Sequence, residues 1–188
     1  MFMHLIKQIN WVDLLALVII VRLAHVGFTA GSISEIVKML GAFLTVFICF
    51  HYYVVAGGLL QKIKVPQDFS YILGFLILWG ITFFIMWLSR QGLSAIFAVE
   101  SRIAIDQWFA VVLALLRSLI VVSLVMFVFL LSPLGYLQKR AADSFSRRYV
   151  LQIAPGIYRT ACHNVVCRLF PEEHVNGAVA QVLSRVGN

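Results

Sequence analysis

Long uncharged stretches, separated by short charged ones, run through most of the chain. Three of them are bounded on both sides by Lys, Arg or Asp: residues 39–61, 69–89 and 118–138. A fourth, residues 11–26, is apolar except for Asp13 and Arg22. Because a helix needs roughly 20 apolar residues to cross the roughly 30 Å of a bilayer core, this pattern predicts four transmembrane helices. The last helix is expected to begin well before residue 118, near Asp106.

The pattern changes after Pro133, where basic residues become frequent. Seven of the 15 Lys and Arg residues follow the last apolar stretch: Lys139, Arg140, Arg147, Arg148, Arg159, Arg168 and Arg185. An apolar stripe recurs there at every fourth position: Leu137, Ala141, Phe145 and Tyr149. This indicates either an amphipathic helix on an anionic membrane surface or a solvated basic tail whose stripe packs on the bundle.

These patterns predict an all-α integral membrane protein with four transmembrane helices and a short basic amphipathic C-terminal tail. The membrane domain is expected at residues 1–132 and the tail at residues 133–188. The composition agrees, since 62% of the residues are hydrophobic, 12% are charged and the mean hydropathy is +0.95. A soluble domain has roughly 45–50% apolar and about 25% charged residues. The net charge of +7 is concentrated beside a membrane span, so it predicts the lipid bilayer and not nucleic acid as partner.

Much of the charge near the N-terminus has a local explanation at helix ends. Asn10 is a favourable N-cap, with Asp13 in the first turn where the helix dipole favours a negative charge. Gly27 is expected to end the first helix as a left-handed C-cap. The run from Ser32 to Glu35 fits a capping box that would begin the second helix, which is expected to reach the glycine pair at residues 57–58.

Small residues at four-residue spacing form two predicted packing seams. The first is on the second helix (Gly41, Thr45, Cys49) and the other on the fourth (Ala110, Ala114, Ser118). In lipid, helices associate where small residues allow their backbones to approach closely. We therefore expect both seams to lie inside the bundle or in a homo-oligomer.

Arg117 is the charge that lacks a local explanation. It lies 11 positions after Asp106 in the sequence, which is about 16 Å along a helix. A charge at that depth faces protein or water, so Arg117 is a candidate functional residue. Asp13 and Glu35 are its expected carboxylate partners. The alternative is a purely structural arginine that snorkels or holds two helices together.

Motifs for catalysis or cofactor binding are absent from the sequence. There is no G-x-S-x-G, H-E-x-x-H or glycine-rich phosphate loop, so we expect no enzyme, no catalytic residue and no cofactor. Cys162 and Cys167 would lie about 140° apart on a helix, which is poor geometry for a metal site. The sequence does not decide whether they form a disulfide, since this requires a tail outside the cytoplasm.

The glycines and charges of residues 27–41 follow a recognisable order. Gly27, Phe28, Gly31, Glu35 and Gly41 give G-F-x-x-G-x-x-x-E-x-x-x-x-x-G, with Trp11 and Asp13 upstream and Asp106 and Arg117 downstream. This order, over roughly residues 10–131, resembles the colicin V production protein (CvpA) family of bacterial inner-membrane proteins. These nine residues are carried over as motif positions only. The chain departs from the family pattern at Ala30 and Ser34, where basic residues are usual, and at the fourth-helix seam, where glycines are.

The resemblance implies a multi-pass inner-membrane protein accessory to colicin V production or export and to envelope homeostasis. Such a protein would act by helix packing and by binding lipid, other inner-membrane proteins or a second copy of itself. A second hypothesis is a small oligomeric transporter or channel component, with Asp13, Glu35 and Arg117 lining a polar path.

The orientation in the membrane follows from the positive charges. Four spans place both termini on one side, together with Lys7, Lys62, Lys64 and the seven basic tail residues. Lys38, Arg90 and Arg102 lie on the other side. The positive-inside rule therefore favours a cytoplasmic tail. Relatives fused to periplasmic protease domains imply the opposite orientation.

Overall fold

Four long helices form the body of the protein. The computed structural model describes residues 10–96, 104–166 and 175–187. The long helices are α1 (Trp11–Ala30), α2 (Ser32–Lys62), α3 (Gln67–Ile96) and α4 (Ala104–Leu131). All four are long and apolar enough to cross a membrane, as the sequence predicts. We refer to the two ends of the bundle as the Gly31 end and the Lys62 end.

The central helix of the bundle is α4. Within its most apolar window 56% of the residues are buried, against 17% for α1 and for α3. It packs antiparallel to α1 on one side and parallel to α2 on the other, and α3 packs antiparallel to α2. The outer faces carry large exposed apolar side chains along every span. Such faces are stable against lipid chains, which identifies the protein as a multi-pass membrane protein.

Two predicted helix ends are wrong. α1 continues through Gly27 to Ala30, and the chain turns at Gly31, whose φ of 76° suits glycine. α2 continues through Gly57 and Gly58 to Lys62. The reason is packing, because a helical Gly27 lies against Ala114 and a helical Gly57 lies against Tyr71. In both places glycine serves a close helix contact and not a helix terminus.

Both predicted small-residue seams lie inside the bundle. All six of their residues are buried. Gly41 of the first seam packs against Met86 of α3. In the second seam, Ala110 and Ala114 pack against Gly27 of α1. The closest backbone approach is between α2 and α3, where a Cβ on Gly74 would lie 2.8 Å from the backbone nitrogen of Gly57. These contacts agree with association of membrane helices through small residues.

The tail forms several short helices and not one amphipathic helix. They are α5 (Gly135–Ala142), α6 (Phe145–Tyr149), α7 (Ile153–Ala161) with a π-helical turn at Cys162–Val166, and α8 (Gly177–Gly187). Ser144 interrupts the expected stripe because its side chain accepts a hydrogen bond from the Arg147 backbone and so starts α6. Within the stripe Ala141 is buried whereas Tyr149 is 59% exposed.

The tail packs into the Lys62 end of the bundle. Tyr158, Cys162 and Val179 share a core with Phe50 of α2 and Phe127 of α4. A second core joins α1, α4 and the α5–α6 region, including Ala141 and Leu151. The tail thus completes the interior of the membrane helices, which agrees with the packed alternative of the sequence analysis.

Some sequence expectations fall partly on residues outside the described ranges. The sequence between Arg90 and Asp106 is moderately apolar, which predicts a segment lying along the membrane interface; its residues 97–103 are outside the described ranges, and so is Cys167. The flanks of that segment belong to α3 and α4. Cys162 is buried, and because Cys167 lies outside the described residues, a disulfide between the two stays a prediction.

Replacing Gly74 by Ala is expected to destabilise the protein. The new Cβ would meet the α2 backbone at Gly57, which cannot move aside as a side chain does. Overpacking of this kind costs about 1–3 kcal/mol, measurable as unfolding in detergent followed by circular dichroism. The control is Gly80→Ala in the same helix, where a Cβ meets nothing within 4 Å. Equal effects of the two substitutions would contradict the packing assignment.

Candidate functional site

A charged cluster lies near the Gly31 end, at the start of α2. Glu35 is in the first turn of that helix and its side chain is fully buried. One carboxylate oxygen, Oε2, lies 3.2 Å from Nη2 of Arg117 on α4. The other oxygen contacts Nζ of Lys38, one turn further along α2. One carboxylate therefore joins two cations on different helices.

The position of Glu35 depends on the corner between α1 and α2. Gly31 turns the chain, and the first residue of α2, Ser32, then meets Asp106 in the first turn of α4. The Ser32 amide donates to Asp106 Oδ2 at 3.3 Å, and its hydroxyl donates to Oδ1. The α1–α2 corner is thereby fixed to the start of α4, which places Glu35 within reach of Arg117.

Arg117 crosses much of the distance between its own backbone and the Gly31 end. Its Cα lies three turns beyond Asp106 on α4, whereas Glu35 lies less than one turn beyond Ser32 on α2. The long Arg side chain therefore extends back toward the start of α4, and it is buried, with 10% of its area exposed. In an apolar medium such an ion pair costs much less than either charge alone. The ion pair therefore fixes the position of α2 relative to α4 along the bundle axis.

The predicted partners of Arg117 are thus half correct. Glu35 contacts it, but Asp13 lies at the Lys62 end, where its Oδ1 accepts hydrogen bonds from the backbone and hydroxyl of Ser146. The predicted role of Asp13 at the start of α1 is confirmed, because its Oδ2 accepts from the Asn10 backbone at 3.1 Å. The capping box between Ser32 and Glu35 is wrong, since both side chains contact α4 instead.

Three of the remaining motif positions, Trp11, Gly27 and Gly41, serve helix packing. Gly27 and Gly41 are contact points of α1 and α2, and Trp11 stacks at a tilt on Phe129 of α4. Phe28 is 46% exposed at the Gly31 end. The structure brings Gly31, Glu35, Asp106 and Arg117 together, while Trp11 and Asp13 belong to the other end.

Sequence reasoning missed a polar network that attaches the tail. Asn176 donates its backbone N–H to the hydroxyl of Tyr158 at 3.0 Å and its side-chain amide to the Phe50 carbonyl at 3.0 Å. His51 Nδ1 lies 3.2 Å from the same hydroxyl. Burial raises the pKa of Tyr158, so the group stays protonated. The only sequence signal is Asn176 before Gly177, which is typical of a helix start.

A second missed contact lies in the middle of α4. The Ser123 hydroxyl donates to the Leu151 carbonyl at 2.9 Å and accepts from the Ala154 amide at 3.0 Å. It therefore fixes the start of α7 to the central membrane helix. Its only signal in the sequence is the serine itself, which interrupts an otherwise apolar run over residues 119–131.

The described residues offer no evident metal site. Within residues 10–96, 104–166 and 175–187, no three His, Cys, Asp or Glu side chains are grouped so that they could hold a metal ion. The interactions in the cluster are electrostatic, between one buried carboxylate and two cations, beside the corner that joins α1 and α2.

Taken with its apolar outer faces, this buried ion-pair cluster defines an α-helical, multi-pass membrane protein held together by polar contacts between its spans. The family model for the colicin V production protein matches residues 12–155. The chain belongs to that family. The match extends beyond the range of the resemblance in the sequence, which ended near residue 131, and it includes α5, α6 and the start of α7. No curated protein and no solved structure matches the chain.

Replacing Glu35 by Gln is expected to destabilise the protein more than replacing Lys38. The substitution removes the buried carboxylate that faces both Arg117 and Lys38, and breaking a buried pair costs about 3–5 kcal/mol. Lys38→Gln leaves the Glu35–Arg117 pair intact and keeps an N–H donor near the other carboxylate oxygen, so a smaller loss is expected. Unfolding in detergent provides the measurement. A larger loss for Lys38→Gln than for Glu35→Gln would refute this assignment.

Proposed function

We propose that the protein is a non-enzymatic accessory component of the bacterial inner membrane that supports colicin V production or export and envelope homeostasis. It acts by presenting a rigid helix bundle to lipid and to partner membrane proteins. Family membership supports the link to colicin V. The observation that carries the proposal is the buried Glu35, whose two oxygens face Arg117 and Lys38. Its charge is used to hold helices in place.

The geometry gives less support to a transporter with a path along Asp13, Glu35 and Arg117. Glu35 lies beside the Gly31 corner, whereas Asp13 lies at the Lys62 end and hydrogen-bonds to Ser146 of the tail. Apolar side chains of α1 and α4, among them Ala16 and Val122, fill the interior around Asp13. Within one chain the three groups therefore do not form a continuous polar line.

The outer face of α1 offers an apolar surface to a partner helix. Leu14, Leu17, Val18 and Val21 are each more than half exposed, and α1 contributes little to the buried core. Exposed apolar residues on a span contact either lipid or the apolar face of another membrane protein. A partner inner-membrane protein or a second copy of the chain would meet the bundle on this face.

The proposed role predicts that the charges at positions 35 and 117 are dispensable together. The double variant Glu35→Leu, Arg117→Met replaces both members of the pair by apolar residues of similar size, and such replacements are often nearly neutral in stability. In a colicin V-producing host lacking its own family member, we expect it to restore at least half of wild-type colicin V release per unit of membrane-inserted protein. Glu35→Gln alone should lower the amount of inserted protein.

Proteoliposomes supply the complementary measurement. Wild-type protein is expected to give no ion flux above that of empty liposomes under any imposed gradient. Flux through the wild type that disappears in the double variant would favour the transporter and overturn the accessory role. Lys38→Gln serves as the control for a charge change at the edge of the cluster.

We further propose a cytoplasmic tail, on the basis of the ten Lys and Arg residues assigned to that side in the sequence analysis. Cysteines introduced at Ser184 of α8 and at Thr29 near the Gly31 end test this, because both side chains are exposed. An impermeant thiol reagent on intact spheroplasts should label Thr29→Cys above the wild-type background and spare Ser184→Cys. The reverse pattern would place the tail outside.

A further inference from the structure

A cavity of about 800 Å³ lies at the Lys62 end, between the membrane helices and the tail. Its deeper wall is formed by apolar and aromatic residues of α2, α3 and α4, including Tyr53, Tyr71 and Leu131. Its outer wall is formed by polar residues of the tail, including Gln138, Lys139 and Arg147. The volume is within the range of sites for small organic ligands.

Tyr53 supplies a buried polar group at this cavity. The residue is 2% exposed, and its hydroxyl has no hydrogen-bond partner among the described residues. Its ring is held edge-on against Phe75 and Phe127, with centroid distances of 6.2 and 6.0 Å. Leaving a buried hydroxyl unpaired costs about 1–3 kcal/mol. Tyr53 is one of the residues that line the cavity, so a molecule that reaches the inner end of the cavity lies next to this residue.

The outer wall of the cavity is positively charged. Lys139 and Arg147 outnumber the one acidic residue of the lining, Asp143. Arg147 is held in place by donating Nη1 to the Ala142 carbonyl at 2.8 Å. A guanidinium group has five N–H donors, so others can bind an anion. Arg147 also borders a second cavity of about 730 Å³ that includes Arg159.

The order of these groups matches the order of groups in a membrane lipid. Cationic side chains lie on the tail, outside the last residue of α4, whereas Tyr53 lies nine residues before the end of α2, about 13 Å deeper along the helix. Apolar residues of α4 and α8, including Leu130 and Val182, complete the inner wall. The phosphate of such a lipid would lie beside the cationic side chains of the tail. Its ester or hydroxyl groups would lie near Tyr53, and its acyl chains would lie against the apolar wall.

We propose that this cavity binds an anionic phospholipid. The headgroup phosphate binds Lys139 and Arg147, the Tyr53 hydroxyl donates to an ester or headgroup oxygen, and the acyl chains leave along the apolar wall. The site deepens the lipid-binding part of the proposed function and rests on that part. Binding of the lipid would fasten the tail to the bundle, because the cavity wall contains residues of both.

The test is lipid binding by the purified full chain in a neutral detergent, with phosphatidylglycerol and phosphatidylcholine of the same acyl chains as probes. We expect at least tenfold tighter binding of phosphatidylglycerol. Tyr53→Phe and Lys139→Gln should each weaken that binding about 3- to 10-fold, as expected for loss of one hydrogen bond or charged contact. The matched control, Lys62→Gln, removes an exposed charge at the same end and should change binding less than twofold.

Tyr53→Phe also keeps the test independent of folding. Without lipid the variant should melt at or above the wild-type temperature, because it lacks the unpaired hydroxyl, yet it should show a smaller rise in melting temperature when phosphatidylglycerol is added. Equal affinity for the two lipids, or equal losses in Lys62→Gln and Lys139→Gln, would overturn the site. Displacement of the lipid by an equal concentration of inorganic phosphate would assign the cavity to a free anion instead. Colicin V release in cells tests the proposed function without reference to lipid.

Discussion

A carboxylate in an apolar bundle must be paired, and the pairing of Glu35 determines how the Gly31 end of this protein is arranged. Because its side chain is fully buried, both oxygens need cationic neighbours. Arg117, in the middle of α4, can reach Glu35 only if the start of α2 lies close to the start of α4. The contact between Ser32 and Asp106 fixes that start. The φ of Gly31 and the close approach of Gly27 to Ala114 follow from the same requirement.

The Lys62 end is organised differently, by polar groups that reach from the tail to the spans. Ser123, Asp13 and the backbone carbonyl of Phe50 each receive or give hydrogen bonds across that boundary. In a membrane protein such contacts satisfy groups that lipid cannot. The tail is therefore part of the interior of the protein, although its composition resembles that of a surface segment.

The sequence predicts the long-range features that depend on hydrophobic length and residue size. It predicts the four spans, both seams and the Glu35–Arg117 pair, because apolar runs, small residues and an isolated deep charge each have few structural solutions. The prediction from sequence fails where a residue that is typical of helix ends is instead needed for close packing between helices. Gly27 and Gly57 were interpreted as helix ends, but close packing against Ala114 and Tyr71 determines their conformation.

The tail was the least predictable region, for a related reason. An every-fourth-residue stripe is compatible with one helix, yet Ser144 starts a new one through its side chain. The interior contacts of Tyr158 and Asn176 depend on the tertiary arrangement of α7 and α8, which no local pattern encodes. Family membership was visible in the motif residues, but its extent into the tail was not.

The contact of Ser123 has a consequence for how the protein is made. The hydroxyl is buried in the central membrane helix, and its partners, Leu151 and Ala154, lie about 30 residues later in the chain. α4 therefore enters the bilayer during synthesis before the groups that satisfy this serine have left the ribosome. Because Val179 of α8 belongs to the core at the Lys62 end, that core is complete only once α8 has been translated, so docking of the tail follows insertion of α4.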